Sequence, residues 1–298
     1  MDFFNVLEDL KKSDSSLIFY CLLNRIPIII TGEDSEIIDN FLIDLSDLMH
    51  FRKEVVFYTD FISNSEYQEL LQNEAIDYNS QRTQIRCSCD VSGKSLIEID
   101  QFNSWIMGFE LDNDKHKLEN FIKFIKEKVN VFLNIMIFSK SISIITIGLN
   151  LKQLDLTFEQ NILQKISRDT EKSIVKMKRV LLEKTKPENL DKELIKTLLD
   201  FEVEKKELKK NILKNEIQKF YSGSKRAFFI LSKLNLLNSF EMNVRIGSKS
   251  LLEIIDYDEA SIGRMVSFID KEWGEDFSDL FENGKKVNVL DSMQSLWG

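Results

Sequence analysis

The chain has 298 residues, of which 40 are basic, 49 are acidic and 43% are hydrophobic. This is the composition of a soluble globular protein, so disorder is not the default expectation. The longest apolar run, LLNRIPIII, is too short to span a bilayer, and the acidic start MDFFNVLEDLKK is unlike a secretory signal. We therefore expect a cytoplasmic protein without a membrane span.

Charge divides the chain into three parts. Residues 1–156 have a net charge of −10, residues 157–216 of +3 and residues 217–298 of −2. We expect these parts to be an acidic α/β domain, a helical hairpin that forms a coiled-coil-like arm, and a mainly helical C-terminal domain with a short tail. The acidic first part disfavours polyanionic ligands.

The first part opens with alternating strand and helix patterns. Residues 27–31 form an apolar, β-branched run, Gly32 follows, and residues 35–50 carry apolar side chains at helical spacing. Residues 55–61 and 65–76 repeat the strand and the helix. This alternation predicts an α/β domain in which a sheet lies between two layers of helices.

The segment IPIIITGEDSEIIDNFLIDL resembles the strand-loop-helix opening of P-loop and RecA-like ATPase domains. The resemblance implies a phosphate site at Gly32, and Asp60 ends the second strand where dinucleotide-binding folds often carry an acid. However, the second glycine, the lysine and the hydroxyl residue of the motif are missing, and three acidic residues fill the loop. Asp34 or Ser35 can cap the helix without a ligand. We therefore expect a degenerate site that binds no nucleotide.

Residues 87–95, CSCDVSGKS, come within one letter of a P-loop motif, because Ser88 stands where the first glycine should be. The last three places of the motif are filled by Gly93, Lys94 and Ser95. The following letters, LIEIDQF, alternate as in a strand, which predicts no helix after the motif. We therefore interpret Ser92-Gly93 as the turn of a hairpin between strands at 84–91 and 96–101, with Lys94 in solvent.

The rest of the first part continues the sheet. The patterns predict a strand at 104–111, a helix at 115–130 and two further strands at 131–138 and 142–149. The sheet should therefore be mixed, with the antiparallel hairpin in its middle.

The sequence has few residues that could bind a metal or form disulfides. Three cysteines and two histidines are too few for a disulfide framework or a paired zinc motif. We interpret Cys21, Cys87 and Cys89 as buried thiols, and we expect neither a metal nor a cofactor.

The middle part carries two apolar stripes at helical spacing, over residues 158–181 and 190–212. Pro187 fits the first turn of the second helix, where its missing N–H costs nothing. The two stripes predict a long antiparallel helical hairpin.

The last part runs in the order helix, short strand, helix, turn, helix, hairpin, and it resembles a winged helix-turn-helix domain. The resemblance implies that the helix at 260–273 reads DNA and that the wing at 281–287 contacts its backbone. The corresponding cations are Arg264, Lys271, Lys285 and Lys286. Because DNA affinity needs several phosphate contacts, the net charge of −2 favours a protein partner over DNA.

The tail DSMQSLWG ends with two apolar residues, Leu296 and Trp297. These side chains either pack back on the domain or form a short partner-binding peptide, and the sequence leaves both readings open.

No Ser-His-Asp or Cys-His arrangement can be assembled from so few histidines. We therefore expect a non-enzymatic adaptor, regulatory or assembly subunit that acts through contacts with a protein partner or a second copy. The alternatives are a winged-helix DNA-binding transcriptional regulator and a degenerate P-loop nucleotide switch.

Overall fold

The computed structural model describes residues 2–98, 104–139, 141–185 and 191–281. Its centre is a six-stranded sheet with the order β2-β3-β4-β1-β5-β6. Five neighbouring strands are parallel, and β6 runs antiparallel to β5. The strands are β1 (Ile28–Gly32), β2 (Lys53–Val56), β3 (Thr83–Cys87), β4 (Trp105–Glu110), β5 (Phe132–Phe138) and β6 (Ser141–Ile147).

The sheet separates two apolar cores. Along β1, Ile28 and Ile30 point into the larger core, while Ile29 points into the smaller one. A strand that is buried on both faces reads as a continuous apolar run, which explains the sequence IIIT.

Helices cover both faces of the sheet. The larger core is formed with α1 (Phe3–Asp9), α2 (Lys12–Leu23) and α3 (Ser35–Asp47). The smaller core is formed with α4 (Asn64–Ile76), α5 (Cys89–Glu98) and α6 (Lys115–Lys128). The expected α/β domain with a mixed sheet between helices is confirmed.

The antiparallel strand pair is at a different place from the one that the sequence predicted. The expected hairpin of strands 84–91 and 96–101 does not form, because β3 ends at Cys87 and α5 begins at Cys89. The antiparallel pair is β5 and β6, at the edge of the sheet.

The helical part begins with α7 (Thr157–Thr185), α8 (Lys192–Leu198) and α9 (Glu202–Ser239). Helices α7 and α9 pack antiparallel. Near the start of α7, Phe158 stacks on Phe220 with ring centroids 4.3 Å apart, and in the middle of α7, Glu171 pairs with Lys205, near the start of α9, at 3.0 Å. The boundary expected at 216/217 lies inside α9, which continues through it without interruption.

The chain then returns along α9 through α10 (Ser248–Ile255) and α11 (Ile262–Trp273). An isolated parallel bridge joins Ile246 to Phe281. Residues from α11, α9, α7 and the α/β domain all contribute to the larger core. The helical part is therefore packed directly on one face of the α/β domain. No helix of the described residues is long and apolar enough to cross a membrane.

Candidate functional site

The carboxyl edge of a parallel sheet is where α/β proteins usually bind their ligands. Gly32 ends the central strand β1 at this edge, next to Glu110 of β4 and Ile137 of β5. A Cβ atom at Gly32 would overlap the backbone oxygen of Ile137. Glycine is therefore required here by the close approach of two strands, without any phosphate.

A carboxylate of the chain itself, that of Asp34, caps the N-terminus of α3, which follows Gly32. The Asp34 carboxylate accepts hydrogen bonds from the backbone N–H groups of Glu36 at 3.0 Å and Ile37 at 3.1 Å. Glu33 accepts a hydrogen bond from the Ser139 hydroxyl at 2.8 Å. Of the two caps that the sequence allowed, Asp34 and Ser35, the structure uses Asp34. A phosphate at this helix end would meet these carboxylates.

The segment CSCDVSGKS corrects the sequence interpretation. Gly93, Lys94 and Ser95 lie inside α5, and only Ser88 separates this helix from β3. The predicted hairpin turn at Gly93 is wrong, because the buried side chains of α5 recur at helical spacing: Val91, Ser92, Ser95 and Leu96. The predicted absence of a helix is also wrong, but one residue cannot form a loop that wraps around phosphates.

The other residues of a hypothetical nucleotide site are engaged elsewhere. Lys94 is exposed, and its Nζ lies 3.9 Å from the ring centroid of Tyr58. The buried Ser95 hydroxyl donates to the Ser92 carbonyl at 2.7 Å, and Asp60 accepts from the backbone N–H of Val56 at 2.7 Å. Asp60 does not converge with Gly32, because β3 and β4 separate β2 from β1.

Metal and thiol chemistry have no site among the described residues, where no group of three or more His, Cys, Asp or Glu side chains could hold a metal. Burial raises the pKa of Cys87 to about 12 and also raises the pKa values of Cys21 and Cys89. The thiols are therefore protonated at neutral pH and are poor nucleophiles.

The amino edge of the sheet carries a buried ion pair that the sequence analysis missed. Arg52 precedes β2, and Glu272 is on α11. Arg52 donates from Nη2 to Glu272 at 2.6 Å, and both side chains are almost completely buried. The same guanidinium donates to the carbonyls of Leu22 and Leu23, each at 2.8 Å, and to Gln84 at 2.9 Å. Arg52 therefore joins α11 to α2 and the sheet.

A second arginine extends this network. Arg82, which precedes β3, donates from Nε to the Glu272 carbonyl at 3.0 Å and from Nη1 to the Glu74 carbonyl. The Glu74 carboxylate pairs with Arg25, before β1, at 3.5 Å. Three strands are thus preceded by an arginine that is turned into the protein.

Arg264, a predicted contact for DNA or a partner, is buried and cannot serve that purpose. Its Nε donates to Glu159 at 2.8 Å, its Nη1 donates to Asn24 at 3.3 Å, and its guanidinium lies 4.9 Å from the ring centroid of Tyr20. Burial raises the pKa of Glu159, and the neighbouring guanidinium opposes this rise. The pair holds α11 to α7 and α2.

Helix α11 as a whole has little free surface for reading DNA. Eight of its twelve residues are buried. Lys271, the other predicted contact on this helix, is exposed and pairs with Asp270 at 2.7 Å. The remaining predicted contacts lie outside the described residues, and they are Lys285, Lys286, Leu296 and Trp297.

The basic middle part and the acidic first part meet in the fold. On α9, Lys210 pairs with Asp44 and Asp47 of α3, each at 2.9 Å, and Lys214 pairs with Asp47 at 2.8 Å. Partial burial of Asp47 raises its pKa, but hydrogen bonds from Lys214 and Lys210 outweigh this and hold the pKa below its ordinary value. The charge difference along the sequence therefore reflects contacts within the protein.

Two exposed apolar surfaces remain on the helical part. We define the α9 stripe as Phe229, Leu236, Leu237 and Phe240, and the hairpin end as Val175, Val180, Leu182, Leu194, Leu198 and Val203. Phe240 is 70% exposed and Leu236 is 59% exposed, one helical turn apart. Met242, 61% exposed, follows directly, since its backbone N–H donates to the Leu237 carbonyl. Apolar groups of this size on a surface commonly mark protein contacts.

Comparison with known proteins assigns the chain to no family. No protein-family model, no curated protein and no solved structure matches the chain.

Proposed function

We propose that the protein is a non-enzymatic adaptor or assembly subunit that binds a protein partner through the α9 stripe. The observation that carries this proposal is the exposure of Leu236 and Phe240 on one side of α9, with Met242 directly beyond the helix end. Aromatic and methionine side chains are enriched at the centres of protein interfaces. The hairpin end is a second apolar surface on the same helical part.

The carboxyl edge of the sheet supports a non-enzymatic role. The donors at the start of α3 are satisfied by Asp34, and the Ser95 hydroxyl is bonded inside α5. The residues that resembled nucleotide-binding motifs therefore have structural partners of their own.

The electrostatics of the α9 stripe favour a protein over a nucleic acid. Between Phe229 and Met242 the sequence carries one lysine, Lys233, and one acid, Glu241. Nucleic-acid affinity depends on several cations that neutralise phosphates. An apolar, nearly uncharged surface is better suited to the apolar face of a partner protein.

The test compares the proteins that co-purify with three forms of the tagged full-length chain. The stripe variant carries Leu236→Asp and Phe240→Asp, and the matched control carries Ile97→Asp, at a residue that is 74% exposed on α5. We expect a partner that wild type and control retain and that the stripe variant loses. A partner set that is the same for all three forms, with equal thermal midpoints, would refute the role of the α9 stripe.

A further inference from the structure

The two edges of the sheet differ in how they are protected. The β2 edge has only four residues, and its Lys53 and Glu54 are exposed. A short, charged edge strand is one of the ways in which proteins prevent unwanted strand pairing. The β6 edge has neither protection: its seven residues, Ser-Ile-Ser-Ile-Ile-Thr-Ile, contain no charge and no proline.

Strand β6 is well formed along its inner side. All seven residues are in register with β5, from Ser141 opposite Phe138 to Ile147 opposite Phe132. In an antiparallel pair, alternate residues direct their N–H and C=O groups away from the partner strand. Among the described residues, none forms a hydrogen bond to the outer side of β6.

Both cores hold β6 in place. Ile142 and Ile144 pack against the larger core, and Ile147 packs against the smaller one. Six of the seven residues are half-buried. The outer backbone groups are therefore presented by a strand whose register is fixed from two sides, which is the arrangement that accepts an additional strand.

We propose that β6 pairs with the β6 strand of a second copy of this chain, antiparallel and about a two-fold axis near Ile144, to join two sheets into one. Two-fold pairing uses the same edge of both copies and leaves neither open. Strand addition selects a foreign segment through charges or side-chain pockets, and β6 offers only Ile, Ser and Thr side chains. These side chains are compatible with their own copies across the pair.

Charge favours the antiparallel arrangement. Each chain has a net charge of −9, and Glu33, Asp34 and Glu36 lie at the carboxyl edge of the sheet. An antiparallel pair places the carboxyl edges of the two copies at opposite ends of the joined sheet. The uncharged β6 strands then meet while the acidic edges stay apart.

This inference does not depend on the proposed adaptor function. The α9 stripe is on the helical part, whereas β6 is an edge strand of the sheet. If β6 does not pair, the adaptor proposal is unaffected. If the α9 stripe binds no partner, the β6 proposal is unaffected.

The test measures the mass of the full chain by light scattering over a wide range of micromolar concentrations. We expect wild type to approach twice its chain mass of 34.9 kDa. Ser143→Lys, in the middle of the β6 edge, should return the mass to that of one chain, because lysine on an edge strand opposes pairing. The matched control is Thr59→Lys, an exposed residue just after β2, which should leave the dimer unchanged.

Each variant must show a cooperative thermal transition, and Thr146→Lys replaces Ser143→Lys if that variant is unfolded. A dimer is expected to melt at a higher temperature than a monomer, so equal midpoints are not required. Hydrogen exchange provides the second readout: β6 amides should be protected more strongly as the concentration rises. A wild-type chain that stays monomeric at all concentrations overturns the proposal, as does a dimer that Ser143→Lys leaves intact. If the β6 amides are protected in a monomer, another segment of the same chain pairs with β6. This result would also overturn the proposed dimer.

Discussion

The two ends of the parallel sheet are built in opposite ways. At the amino edge, Arg52 and Arg82 are buried and bind Glu272, which lies 220 residues after Arg52 and 190 residues after Arg82. At the carboxyl edge, Asp34 and Glu33 are exposed: Asp34 accepts from the start of its own helix, and Glu33 accepts from Ser139. Buried, long-range ion pairs therefore lie at the amino edge, whereas the carboxylates at the usual ligand-binding end are exposed, and Asp34 there caps its own helix.

The largest expected effect is at the amino edge. Glu272→Ala leaves the Arg52 guanidinium buried without its carboxylate, so the free energy of unfolding should fall by about 3–5 kcal/mol. Urea denaturation measures this change. The control is Asp270→Ala on the same helix, which removes an exposed pair with Lys271 and should cost less than about 1 kcal/mol. Equal losses for the two variants would contradict a special role of the buried pair.

The next effect is at the carboxyl edge. Gly32→Ala introduces a Cβ atom against the Ile137 carbonyl, and the strand shift that follows should cost about 1–3 kcal/mol in urea denaturation. Gly93→Ala is the control, since a Cβ atom there meets no atom and the residue lies inside α5. This second variant should gain about 0.5–1 kcal/mol because alanine is the better helix former. A loss at Gly93 would argue against the helix.

A smaller effect is expected from the helix cap that follows Gly32. Asp34→Ala removes the acceptor for the N–H groups of Glu36 and Ile37, which should cost about 1 kcal/mol of the free energy of unfolding. Asp34→Asn retains an acceptor oxygen and should be nearly neutral. If the asparagine variant loses as much as the alanine variant, the negative charge of Asp34 matters more than its capping bonds.

The last prediction is that added nucleotide has no effect on stability. Magnesium with ATP or GTP should leave the thermal midpoint unchanged, because a ligand that binds the folded state raises it and we expect no binding here. Differential scanning fluorimetry measures the midpoint, with Lys94→Ala as the comparison. A rise of the wild-type midpoint with nucleotide that Lys94→Ala abolishes would show a nucleotide site near α5. The carboxyl edge would then bind a ligand, which contradicts the difference between the two edges.

Local sequence patterns predicted most of the elements. The run IIIT before Gly32, followed by the spacing of Ile38, Phe41, Leu42 and Leu45, correctly gave β1 and α3. The stripes on either side of Pro187 predicted the antiparallel packing of α7 and α9. The single second helix expected over 190–212 is wrong, because α8 ends at Leu198 and α9 begins at Glu202. The resemblances to P-loop and winged-helix domains stay predictions.

The failures occurred where two local patterns compete. The letters after Ser95 alternate as in a strand, but the four side chains that α5 buries are spaced as in a helix. Packing against the sheet decided between them, since Leu96 and Val91 enter the smaller core only when the segment is helical. The same limit applies to Arg264, which as a sequence feature is a cation on a helix and in the fold is a buried partner of Glu159.

The sequence by itself determined the class of the fold, the alternation of strands and helices in the first part and a capping residue for α3 at Asp34 or Ser35, because each of these depends on residues a few positions apart. Only the tertiary structure decided that Arg52 and Arg82 would meet Glu272, that α5 would be a helix and that β6 would lie at the edge of the sheet. These outcomes depend on which distant segments bury a residue together. Burial is what turns an arginine from a surface charge into an internal ion pair.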